Sequence, residues 1–203
     1  MKLRNIGVYS AIAAICFGGL AISQEPPQGE NEDMAKMMAA SMAVRSPGEH
    51  HKAMEYFLGK WNVEITMKGF GAQPDMTSKG VAEFKWLIAG RWMAQDLNAQ
   101  MGGMPYRSYS IAGFDNVKKK FVTTVVNNMD TAMLRVEGTV VDPTGKINAQ
   151  YGTLDEYLTD EHDKPFRTVT KKTDDDHFVL EIWDLGIGEN GKIVMLFDYA
   201  RIK

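Results

Sequence analysis

From residue 61 to the end of the chain the helical period is absent, and about ten strand-sized segments follow one another, each closed by a turn containing Gly, Pro, Asp or Asn. The clearest pair lies at 106–114 and 119–127. Between them stand Asp115, Asn116, Val117 and Lys118; Asp and Asn bond their own backbone at the head of a short loop, and the flanking Tyr, Phe, Val and Thr suit a pleated, half-buried surface. This is a β-hairpin. The other candidates are 61–67, 80–88, 91–99, 132–141, 147–157, 165–172, 177–185 and 192–202. Turns are marked by Asp142-Pro143-Thr144-Gly145, Glu189-Asn190-Gly191-Lys192 and the acidic run Asp174-Asp175-Asp176. That acidic run lacks the alternating ligands and distal Glu of a calcium loop, so it reads as a charged turn. Sequential antiparallel strands with few long connections are best served by closure, which removes exposed edges. The fold class predicted is all-β, a single antiparallel up-and-down barrel of about ten strands preceded by one or two short helices. Such a barrel encloses room for one small ligand.

The 203-residue chain is 44% hydrophobic and 24% charged, ordinary for one globular domain with a real core. Its first residues differ. Lys2 and Arg4 precede an apolar run over 6–22, and Ala21, Ile22 and Ser23 place small residues at a cleavage position, so residues 1–23 read as a secretion signal. Export to the periplasm or beyond follows. The run is interrupted by Gly7, Ser10, Gly18 and Gly19, which weakens the competing reading of a retained anchor, and membrane contact is expected only through an uncleaved leader. Cys16, the single cysteine, lies in that run behind the bulky Ile15, an unfavourable neighbour for lipid attachment. Without the leader no disulfide or thiol chemistry is available. Removing Lys2 and Arg4 takes Lys+Arg from 23 to 21 against 26 acidic residues, a formal charge of −5, which disfavours a nucleic-acid partner. The one basic cluster, Lys118-Lys119-Lys120, reads as a solvated hairpin edge.

Residues 24–33 carry Pro26, Pro27, Gly29 and four acidic groups with no apolar side chain, a solvated linker. Met34, Met37, Met38 and Met42 then share one face of a helix of about three turns. Thioethers can hold Cu(I), but the spacing is that of any amphipathic helix, and adaptable packing against the body or a partner is the reading taken. Ser46, Pro47 and Glu49 mark a second helix start, with Met54, Phe57 and Leu58 as its buried side and Gly59 as its stop. His50 and His51 point about 100 degrees apart on that helix and are expected to face solvent rather than share a metal. The domain plan is thus a signal at 1–23, a linker and Met-rich helix at 24–45, and a barrel at 46–203.

Several motifs in order resemble the bacterial family known as domain of unknown function 1579: Gly48-Glu49-His50-His51, Leu58-Gly59-Lys60-Trp61, Gly90-Arg91-Trp92, the stretch from Ala112 through Asp115-Asn116 to Phe121, and Tyr199-Ala200-Arg201. The likeness spans 47–203; the family usually has Tyr where this chain has Phe114. The resemblance implies a secreted bacterial protein and no particular activity. Gly59-Lys60-Trp61 is also similar to the opening of calycin barrels, in which the Trp plugs one end and packs under a late-strand Arg; Arg201 is the matching partner.

The function expected is a non-enzymatic barrel that binds a small, largely apolar or carboxylate-bearing ligand. Its candidate ligand residues are Arg91, Arg135, Tyr199, Arg201 and Trp86, with Arg as a carboxylate fork and Tyr as an amphipathic wall. Whether Arg135 and Glu137, or Leu134, Val136 and Val140, face the interior depends on register and stays open. The alternatives are a structural or partner-binding envelope protein, with the Met-rich helix as the contact, and an enzyme using Asp96, Glu137 or Glu181, a set that no spacing singles out as a pair. Haem would require an axial His, and His162 and His177 fall in or beside turns, so no cofactor or metal is expected.

Overall fold

In the computed structural model, residues 28–69, 71–156 and 159–203 are described. The expected leader at 1–23 lies outside them. Helix α1 is Gln28–Arg45, so the last residues of the acidic stretch are helical and the helix starts earlier than the methionine spacing suggested. It has little amphipathic character. Met34, Met37, Met38 and Met42 are each more than half exposed. Up to Ala43 this helix belongs to a unit of its own, and Val44–Lys203 form the barrel unit.

The barrel unit opens with α2, Glu49–Ala53, which tightens into a 3₁₀ turn, Met54–Phe57. Its cap is Gly48 rather than Ser46. The ring Nδ1 of His51 accepts the Gly48 N–H at 3.1 Å while the His51 N–H donates to the Gly48 carbonyl, a reciprocal closure that needs a side-chain acceptor at His51 and none at position 46. His51 is accordingly buried, contrary to the expectation that it faces solvent. Burial holds its ring below the usual histidine pKa. Gly59 turns the chain at φ 109 into the first strand.

Ten strands follow: β1 Gly59–Met67, β2 Met76–Ile88, β3 Trp92–Met101, β4 Met104–Asp115, β5 Lys120–Asn127, β6 Leu134–Val140, β7 Ile147–Glu156, β8 Glu161–Lys172, β9 His177–Asp184 and β10 Lys192–Arg201. Each pairs antiparallel with its sequence neighbours, and β1 pairs with β10, so the sheet is a closed up-and-down barrel. The central hairpin has the expected chemistry: Asp115 Oδ1 accepts the N–H groups of Val117 and Lys118, and Phe114 pairs with Phe121 across it. The tightest turn is Gly102-Gly103, with φ 58 and 82, which only glycine adopts freely in tandem.

Alternation sets the interior. On β1 the inward residues are Trp61, Val63 and Ile65, all buried, and on β10 Phe197 and Tyr199. Together with Ala82, Phe84, Met93, Leu97 and Phe178 they fill the β9-β10-β1-β2-β3 side of the barrel. Phe178 stacks on Tyr199 at 4.2 Å, and Trp61 meets Phe178 edge-on at 4.8 Å, geometries that add to the area buried. The strand connections β2–β3, β4–β5, β6–β7 and β8–β9, and the α2 segment, all lie at the same end of this barrel.

Candidate functional site

The β4–β8 side is less filled. Between it and the aromatic core lies a cavity of about 480 Å³, within the range of small-molecule pockets. Its mouth is framed by Glu49 and His50 of α2 and by the β6–β7 turn, Asp142 to Lys146. His50 is held there by stacking on Phe114 at 4.1 Å and meeting Phe121 edge-on at 5.7 Å. The wall is divided by strand. Phe84, Met93, Phe121, Val136, Phe178 and Leu180 make an apolar surface, while inward positions of β7 and β8 carry Asn148, Gln150, Thr168, Thr170 and Lys172.

Those polar residues descend in register from the mouth. Asn148 is opposite Thr170 and Gln150 is opposite Thr168, with Lys172 two positions beyond Thr170 toward α2. Lys172 Nζ donates to the Ala53 carbonyl at 3.3 Å and stands over the rings of Tyr56 at 4.5 Å and Phe57 at 5.2 Å. Burial pushes its amine below the usual lysine value. Gln150 Nε2 donates to Asn148 Oδ1 at 3.1 Å, and Asn148 Nδ2 and Gln150 Oε1 are shut from solvent with no protein partner. Across the cavity, Gln95 Nε2 donates to the Tyr199 hydroxyl at 2.9 Å and accepts from Ser110 at 3.2 Å through its Oε1. Tyr199 is wholly buried, which raises its pKa above the ordinary tyrosine value.

Of the residues picked from sequence, Tyr199 alone lines this cavity. Trp86 is on the interior face of β2 and packs against the core outside the cavity lining. Arg201 lies 4.1 Å over Trp61 and donates to the carbonyls of Leu58 at 2.7 Å and Tyr56 at 2.6 Å, which ties the last strand to the 3₁₀ turn. Arg91 donates to the Arg45 carbonyl and lines a separate hollow with His51, Trp92 and Asn116. Arg135 is on the outer face, 3.8 Å from Glu137, because Val136 and Val140 take the inward positions of β6. The three cations therefore do not converge.

The acids proposed for catalysis face outward too. Asp96 pairs with Arg107 at 2.8 Å. Glu137 is bonded by Lys118 and Lys120, whose ammonium groups hold its carboxyl at about 2. Glu181 is buried beneath the outer face, bound by Lys171 at 2.5 Å and by the Trp183 indole N–H at 2.9 Å, with Arg167 over that indole. His162 is near Asp155, and His177 is bonded to Asp174 in the acidic turn. No group of three or more His, Cys, Asp or Glu suited to a metal occurs among the described residues. Sequence reasoning missed Asn148, Gln150 and Lys172; their signal was the polar parity of two consecutive strand candidates.

Residues 46–201 match the profile of a family described as a protein of unknown function, DUF1579. No curated protein matches the chain. The crystal structure of Rv2717c from M. tuberculosis is similar in fold, with a TM-score of 0.55 and 10% identity over 78% of this chain and 100% of that one. A redesigned beta barrel is more weakly similar, with a TM-score of 0.41 and 10% identity over 74% of this chain and 96% of that one.

Proposed function

We propose, for a chain that belongs to the DUF1579 family through residues 46–201, that its barrel is a non-enzymatic receptor for one small, largely apolar molecule. The observation that carries this is the cavity of about 480 Å³, apolar on one side and lined with a few fixed polar groups on the other. A barrel of this kind needs no cavity for its own stability, since unfilled interior forfeits contacts that packing would supply. Lys172 and Tyr199 are the wall residues proposed to meet the ligand, in place of the outward Arg135 and the structural Arg91 and Arg201. With export expected from the leader, the ligand would be met in the periplasm or outside the cell.

The test is native mass spectrometry of the exported protein, repeated after organic extraction, alongside titration with an apolar fluorescent probe. A stoichiometric adduct, or probe binding abolished by the cavity-filling pair Val136→Phe and Thr123→Leu in a folded protein, is the expected result. An empty chain whose probe binding ignores the filling variant would remove the reading. A second reading, partner binding through α1, is favoured by one observation: its four methionines are exposed. Deletion should end at Ala43, because the carbonyls of Val44 and Arg45 accept hydrogen bonds from Asn116 and Arg91. Loss of a partner with retention of probe binding would assign the two roles to separate parts.

A further inference from the structure

We infer that the end of the barrel opposite α2 is a soft-metal site, in which the thioethers of Met67, Met76 and Met195, with Met101 and Met104 beside them, hold one Cu(I) ion. Half of the chain's 14 methionines lie at that end, these five on strands and Met129 and Met133 in the β5–β6 connection. Met67 on β1 stands opposite Met195 of β10 on one side and Met76 of β2 on the other. Three methionines therefore lie abreast on adjacent strands and share one face. That face is the inner one, because Met67 continues the inward series Trp61, Val63 and Ile65, and Met195 packs against the aromatic core. Met101 is opposite Met104 across the Gly102-Gly103 turn, and both keep the inward parity of their strands, set by the buried Leu97 on β3 and Ser108 on β4. None of the five lines the cavity, so the site is independent of the receptor reading.

Packing does not account for the choice of residue. Methionine suits irregular buried gaps, and strands otherwise favour β-branched and aromatic side chains. Met76 and Met104 are each 52% exposed, so neither fills a gap, and what they offer that Leu or Ile would not is an accessible sulfur. Directly opposed residues have Cβ atoms about 4.5–5.5 Å apart, and methionine is unbranched with three rotatable bonds, so neighbouring sulfurs can converge on one ion. Thioethers are soft, neutral donors that select Cu(I) over harder ions. The surroundings favour a single charge as well. The next inward residues on the five strands, Ile65, Ser78, Ala99, Tyr106 and Phe197, bring no anion that a desolvated divalent ion would need. Lys68, next to Met67, is neutralised by Asp75 at 2.6 Å. The four methionines of α1 belong to a separate unit and serve as the internal control.

The experiment uses the full chain and two probe ions: Ag(I), a redox-stable soft cation, and Cu(I) kept reduced under nitrogen and competed against a chromogenic chelator. The expected result is one equivalent bound at the barrel with a dissociation constant of about 1 µM or below. On its addition the methyl NMR signals of Met67, Met76 and Met195 should shift together, a readout that needs no variant to fold. Met67→Leu and Met195→Leu are close to volume-conserving and should each weaken binding by at least about tenfold, the lower range for changes even in the outer shell of a metal site. Leu at all four α1 methionines should leave that equivalent in place, and Zn(II) should not compete for it. Uptake of neither ion would overturn the inference. So would uptake that Met67→Leu and Met195→Leu leave unchanged, uptake that disappears with the α1 substitutions alone, or displacement by Zn(II).

Discussion

Replacing Arg201 by Met separates a structural cation from a ligand-binding one. The guanidinium makes two hydrogen bonds to the carbonyls of Leu58 and Tyr56 and stacks on Trp61, with Asp176 as an ion-pair partner at 3.3 Å. A charged donor's bond is worth about 1.5–3 kcal/mol, and a partly desolvated cation over an aromatic ring about 1–2 kcal/mol. These contributions are not additive, so we expect a loss of about 4 kcal/mol. For a domain of this size that lowers Tm by roughly 8–16 °C. Arg201→Lys keeps the charge over Trp61 but its single ammonium cannot reach both carbonyls in the fork geometry, and should lose about 2 kcal/mol. Urea denaturation followed by tryptophan fluorescence measures both, and probe titration of each variant below its unfolding midpoint should give wild-type affinity. A loss under about 1 kcal/mol for Arg201→Met, or a loss of probe affinity with stability intact, would refute the structural assignment.

The carboxyl of Glu137, held at about 2 by Lys118 and Lys120, should move up toward the ordinary glutamate value when both lysines are replaced by Ala, read by NMR titration of its side chain. Because its folded pKa is lowered, whatever stability it contributes is present above the unfolded value of 4.5 and is lost as pH falls toward about 2; the double variant should lack that acid-side slope. Lys172 has the opposite consequence. Its folded pKa is depressed, so the barrel disfavours its charged form, and wild type should gain stability relative to Lys172→Met as pH rises toward the ordinary lysine value of about 10.5, measured by denaturation across that window. A flat difference would mean that the amine is fully solvated.

Strand order and closure were legible because each strand carries alternation and each turn carries residues with a backbone reason to be there; all ten strands occur where the rhythm placed them, with ends shifted by a few residues. The helix cap was misplaced because the Ser46-Pro47-Glu49 signal is local, whereas the Gly48 cap depends on a His51 ring buried in part by Phe114, a residue far along the chain. The candidate site was mostly illegible for a related reason. Parity tells which residues share a face, but which face points inward is decided by the neighbouring strands. Asn148 and Gln150 share a face, as do Arg135 and Glu137, and only the packing of Val136 and Val140 against the cavity separates the interior pair from the exterior one. Arginine drew attention by its chemistry, and in this barrel the arginines picked from sequence serve the backbone and the outer surface.

The β1–β10 seam also sets a timetable. Trp61 pairs with Arg201 across it, so the first strand waits for the tenth before its second edge is covered. Until then any nascent or partly threaded barrel exposes two unpaired edges flanking an incomplete aromatic core, the condition under which strands add to other chains. The bonds from Arg201 to the turn before β1 act as a latch that engages only on completion, and a chain shortened by even its final strand would be left with open edges and no latch. Completing the β1–β10 seam therefore requires the longest loop closure in the barrel, the pairing that costs the most chain entropy to form.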